Sequence, residues 1–148
     1  MPNALTRRRD PNANTESWLV MYGDVQAGVI SLRSGNPADT APWQWFCGFY
    51  PGSRPGEQQV GTATTLEEAR QAFEGAWAVF LGNRTSADFD TYRQHVAFTA
   101  WKYAMWDAGC RMPAQNTNGR SRCFCGVAIE LGTTEAHIYA HHMPALRA

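Results

Sequence analysis

The sequence predicts an α+β protein: a three-stranded antiparallel sheet with one packed helix, a second, aromatic-rich helix, and a small C-terminal module. Three observations predict it. Residues 17–50 carry β-favouring side chains in period-two alternation, broken by Gly and Pro turns. Residues 65–109 repeat apolar side chains every three or four positions behind helix-start signals. Residues 121–148 gather two of the four cysteines and three of the four histidines in a segment too short to bury a core of its own.

The first strands come from "SWLVMYGDVQAGVISLR". Trp18, Val20 and Tyr22 alternate with Leu19 and Met21, Gly23-Asp24 supplies a hairpin turn, and Val29 and Ile30 lie in the returning strand. After the loop "SGNPADTAP", the run "WQWFCGFYP" puts Trp43, Trp45, Cys47 and Phe49 on one face of a third strand, which Pro51 and "GSRPGE" end.

Thr65 followed by Glu68 forms a capping box, and Leu66, Ala69, Phe73, Ala76, Trp77 and Phe80 then mark one helix face that should lie on the sheet; Gly82-Asn83 stops the helix. Thr85 with Asp88, or Ser86 alone, caps a second helix. Its stripe of Phe89, Tyr92, Val96, Tyr103 and Trp106 is widened by Phe98, Trp101 and Met105 before Gly109 and Pro113 end it. An apolar surface this broad needs a cover, and Trp101, Tyr103, Met105 and Trp106 are the candidate partner-binding residues.

The division that follows is a flexible arm over 1–16, a sheet-plus-two-helices domain over 17–109, a polar linker over 110–120 and a metal-binding module over 121–148. Thirteen basic and thirteen acidic residues give zero net charge, which disfavours a protein held on nucleic acid mainly by phosphate neutralisation. Local basic groups, Arg7, Arg8 and Arg9 in the arm and Arg120 and Arg122 before the cysteines, are the candidate nucleic-acid contacts. No apolar run follows the first arginines and no stretch has membrane-spanning length, so the expectation is a cytoplasmic protein with no membrane partner. In that reducing setting four cysteines read as thiols or metal ligands.

The stretch "CFCGVAIELGTTEAHIYAHHM" carries the chemistry. Cys123 and Cys125, two apart, point to the same side of a tight turn, and His137 and His141, four apart in a helical segment, stand on one helix face. Two thiolates and two imidazoles suit the tetrahedral preference of zinc, whose binding free energy would fold so short a segment. His142 is the alternate for His141, and Cys110 a further alternate should the linker fold back.

This segment resembles the two-cysteine, two-histidine zinc finger, with C-x-C-x11-H-x3-H in place of slightly longer spacings. Docking in that family's manner would put Glu130, Thr133 and Ala136 at base-reading positions, and none is Arg, Lys, Asn or Gln. Three strands followed by "GTATTLEEARQAFEGAWAVFL" resemble the HicB antitoxin fold through "FYPG" and T-x-E-E-A, a likeness that covers residues 43–81. They are also similar to the arm-type DNA-binding domain of integrases and the plant ethylene-response DNA-binding domain, whose sheets present arginines and tryptophans to the major groove. Here the tryptophans occur without the arginines. The order of segments resembles a set of small uncharacterised alphaproteobacterial proteins that end in a C-x-C-G finger, which implies a bacterial setting.

Catalytic signals are absent from the sequence. "HIYAH" lacks the glutamate of the metalloprotease motif, no phosphate loop, dinucleotide fingerprint or G-x-S-x-G elbow occurs, and Cys47 sits among aromatic residues as a packed thiol does. The expectation is a non-enzymatic zinc-binding adaptor or regulator acting through another protein, with no small-molecule substrate. A DNA-binding transcriptional regulator and a HicB-like antitoxin or inhibitor are the alternatives.

Overall fold

The computed structural model describes residues 4–34 and 41–143. Most of the loop "SGNPADTAP", residues 35–40, lies outside the described residues, as do the first three residues of the expected arm and the last five of the C-terminal module. The chain divides into two compact units, the first ending at Asp90 and the second beginning at Thr91.

The first unit is a five-stranded antiparallel meander carrying one packed helix, two strands more than the alternation pattern predicts. Strand β1 is Leu5–Arg9, β2 Ser17–Tyr22, β3 Val25–Leu32, β4 Trp43–Cys47 and β5 Gln59–Ala63, in that order across the sheet. β2 and β3 form the expected hairpin, with Gly23 at φ 62° in its turn. The segment expected to be a flexible arm contains an edge strand instead. It pairs with β2 from Leu5↔Tyr22 to Arg9↔Trp18. The arginines explain the order: the guanidiniums of Arg7 and Arg9 lie 4.6 and 4.7 Å from the centre of the Trp18 ring, so their stems and charges cover an indole at the sheet margin. β5 escapes a period-two reading because "QVGTA" has little to alternate; it is held by its register with β4, Trp43↔Ala63 to Cys47↔Gln59.

Helix α1, Leu66–Gly82, lies against β3, β4 and β5 and buries Ala69, Phe73, Trp77 and Phe80. The Thr65 hydroxyl accepts the Glu68 N–H at 3.1 Å, whereas the Glu68 carboxylate returns to the N–H of Thr64 rather than of Thr65. Trp45, Cys47 and Phe49 are buried, and Trp45 meets Phe73 edge-on. Phe49 packs among Trp77, Phe80 and Phe89. The sheet tryptophan Trp45 therefore serves the core beneath α1 and is not presented for base stacking. Close approach leaves no room at Gly28, where a Cβ would stand 2.0 Å from the Phe46 carbonyl oxygen and 2.6 Å from the Phe73 ring. On the opposite face, cross-strand neighbours form the row Arg8, Leu19, Val29, Phe46, Val60.

Helix α2, Ser86–Asp107, begins with a full capping box at Thr85: its hydroxyl accepts the Asp88 N–H and the Asp88 carboxylate accepts the Thr85 N–H. Gly109 ends it at φ 72°. The unit boundary falls inside this helix and not after residue 109, because Ala97, Trp101 and Met105 are core residues of the second unit, with Cys123, Ile129 and Ile138. The expected polar linker holds a 3-10 turn, Pro113–Gln115. It leads directly into strand β6, Arg120–Arg122, which pairs with β7, Ala128–Glu130; helix α3, Thr134–His141, follows.

Candidate metal centre

The second unit is built to hold two sulfurs and two imidazoles together. Between β6 and β7 the chain reverses in a tight turn in which the Gly126 N–H reaches the Cys123 carbonyl at 2.8 Å and the Cys123 N–H reaches Val127 at 2.8 Å. Gly126 sits at φ 96°, a conformation that side chains rarely adopt, so glycine is required there. The Arg122 guanidinium donates to the Gly126 carbonyl and pins the knuckle from outside. The turn sets Cys125 against the first turn of α3 and Cys123 against the residue just past its end. The entry of α3 is fixed by Thr133 and Thr134: the Thr133 hydroxyl accepts the Glu130 N–H and the Thr134 hydroxyl donates to the Glu130 carbonyl.

The ligand atoms of Cys123, Cys125, His137 and His142 all lie within 4.8 Å of one another. Cys123 Sγ is 3.4 Å from His142 Nε2, Cys125 Sγ is 3.4 Å from His137 Nε2, and the two Nε2 atoms are 3.1 Å apart. A zinc ion with ordinary bond lengths in a tetrahedral site would require edges of roughly 3.3 Å between nitrogens to 3.8 Å between sulfurs. These three separations lie close to such edges and are compatible with a tetrahedral metal site. Both histidines turn Nε2 into the cluster, so a metal bound there would leave each Nδ1 to carry the ring proton. Burial, then the neighbouring His142 and His141, holds the His137 pKa below the usual 6.5, which keeps that imidazole in its neutral, ligating form.

The fourth position belongs to His142, the alternate, and not to His141. An i,i+4 pair stands side by side on a helix, and the His141 ring indeed lies 5.1 Å from that of His137, yet exposed and outside the cluster. His142 is the first residue past the helix. At φ −125°, ψ 10°, with its N–H on the Ile138 carbonyl, it turns its ring back under the end of α3. Phe124, between the two cysteines, packs against that ring at 4.9 Å. Cys110 packs against the same core without bringing its sulfur into the cluster.

Two residues at the centre have no signature in the ligand spacing. One is Phe124. The other is Trp101, whose indole N–H donates to Cys123 Sγ at 3.3 Å from across 22 positions of sequence. Trp101 and Met105, expected to bind a partner, are instead buried at 2% and 1% exposure as the wall of this unit. A broad helical stripe has an inner and an outer half, and the cysteine knuckle, Ile129 and Ile138 cover the inner one.

Comparison with protein-family models, with curated proteins and with solved structures finds no match. The four side chains form a two-cysteine, two-histidine cluster compatible with a metal site.

The remaining candidate residues disperse. Arg7 and Arg9 are engaged by Trp18, and Arg8 points to the other face of the sheet. Arg120 lies 3.7 Å from the Glu130 carboxylate, and Arg122 holds the knuckle. Cys47 is buried in the first unit, where desolvation pushes its thiol up to about 12, far from a nucleophile's range. Among the described residues no helix is long and apolar enough to cross a membrane.

Proposed function

We propose that the protein is a non-enzymatic, zinc-organised interaction module, an adaptor or regulator, that presents the outer half of α2 to a partner protein. One observation carries the reading. On a helix whose Trp101 and Met105 are buried against the metal centre, Tyr103 and Trp106 stand 68% and 81% exposed. Large aromatics anchored on a rigid, half-buried helix lose little conformational entropy on docking and are the residue types that dominate binding energy at interfaces. The metal supplies rigidity and not chemistry: four protein ligands would fill a tetrahedral zinc, leaving no position for water or substrate.

The experiment compares affinity capture from a bacterial extract by the zinc-loaded wild type and by Trp106→Ala and Tyr103→Ala with equal metal content. A partner held by wild type and lost from either variant supports the reading; capture that is indifferent to both residues sinks it. The same preparations in a gel-shift series at rising salt test nucleic-acid binding, which would fall steeply with salt and with loss of Arg120 and Arg122.

A further inference from the structure

The two thiolates of the cluster occupy different surroundings. Cys125 is exposed and faces His137, whereas Cys123 is 2% exposed and lies beneath α2 with an indole N–H directed at its sulfur. We propose that Trp101 is a positioning residue of the metal centre, its N–H holding Cys123 Sγ turned toward the other three ligand atoms. The inference rests on the reading of this cluster as a metal site.

Core packing alone does not account for the contact. Among the described residues the indole nitrogens of Trp45 and Trp77 are buried without a hydrogen-bond partner, so burial of a tryptophan in this chain does not by itself bring its N–H to an acceptor. Trp101 shares a core with Ile129 and Ile138 and in addition pairs its N–H, which spares the cost of an unpaired buried donor. The donor meets the more buried of the cluster's two sulfurs, that of Cys123. A hydrogen bond to a metal-bound sulfur draws charge from it and fixes its direction. Through this bond the fold of α2 and the loading of the centre become one equilibrium: residue 101 loses its acceptor when the knuckle opens, and Cys123 loses its donor when the helix frays.

The test uses the full-length chain loaded with zinc, and separately with cobalt(II). Trp101→Phe keeps an aromatic ring and removes the N–H. It should weaken zinc binding about 10-fold, the lower end of the effect of outer-shell partners. It should also move the sulfur-to-cobalt charge-transfer band to lower energy, because the sulfur regains electron density. Met105→Leu, which perturbs the same core without a polar atom, should leave the band in place. An unmoved band in Trp101→Phe, with or without a change in affinity, would mean that the indole only packs, and would overturn the proposal. Should Trp101→Phe fail to fold, the wild type loaded with cadmium-113 decides: the Trp101 indole proton should show scalar coupling to the metal through the sulfur, and no coupling overturns the proposal. A wild type that takes up no metal at all defeats the metal centre, and this inference with it. A wild type that takes up metal beside an indifferent Trp101→Phe defeats this inference alone.

Discussion

The two adjacent histidines at the end of α3 separate a ligand from a neighbour by one residue. Replacing His142 or His137 with alanine should abolish stoichiometric zinc, as should Cys125→Ser, while His141→Ala should keep one zinc per chain; elemental analysis of the purified variants reads this directly. Retention of zinc by His142→Ala with loss in His141→Ala would reverse the assignment. At the other buried thiol, pH is the probe. Burial raises the Cys47 thiol from 9.0 to about 12, so the folded chain binds its proton more tightly than the unfolded chain does. The associated stability is fully present below about 9 and is lost as pH rises from there through about 12. Urea unfolding at pH 8 and pH 10.5 should show wild type losing stability relative to Cys47→Ala, and the native thiol should resist alkylation at pH 8. Three of the four ligands, Cys123, Cys125 and His137, are legible from spacing alone, because a knuckle and a helix face are local. His142 is not, since the choice depends on where the helix ends, and Trp101 is not, since it arrives from a distant helix.

At the scale of elements, α1 illustrates how local signals and packing divide the work. Thr65→Ala removes the cap of its first turn and should cost about 1 kcal/mol, read as a lowered melting temperature of the first unit. Gly28→Ala drives a methyl group into the Phe46 carbonyl and the Phe73 ring and should cost about 1–3 kcal/mol. An unchanged stability in Gly28→Ala would mean that β3 and α1 separate more freely than their contact implies. Both helices are readable in the sequence through their caps, Thr65 with Glu68 and Thr85 with Asp88, and through their stops, Gly82-Asn83 and Gly109. The two extra strands are not. β1 is "LTRRR" and β5 is "QVGTA", segments whose strand character comes from pairing with β2 and β4 and not from an alternating face of their own.

For the whole molecule the decisive contrast is between a unit that closes on aromatic packing and one that closes around a cluster of cysteines and histidines. The first has Trp45, Phe49, Phe73, Trp77 and Phe80 inside it; the second has, among the described residues, a hydrophobic core cluster of six, one of them Cys123. Chelation of the metal should therefore deprotect amides from the second half of α2 through α3 while leaving β2–β4 and α1 protected, measurable by hydrogen exchange on the same sample. Uniform loss of protection in both units would show that they fold as one. The broad apolar stripe of α2 is plain in the sequence, but its division into a buried and an exposed half appears only once the knuckle is in place.

The short strand at the sheet margin has a practical corollary for anyone handling the protein. Leu5–Arg9 occupies the backbone edge of β2, and its three arginines give the new edge a charge that discourages a second chain from adding to it. A chain trimmed to begin at Asn12, as a disorder-minded choice of boundaries would suggest, would bare the β2 ladder beside an uncovered Trp18. Such a shortened protein should precipitate or elute as oligomers where the longer one stays dispersed, and added arginine in the buffer would restore only the screening, not the missing strand.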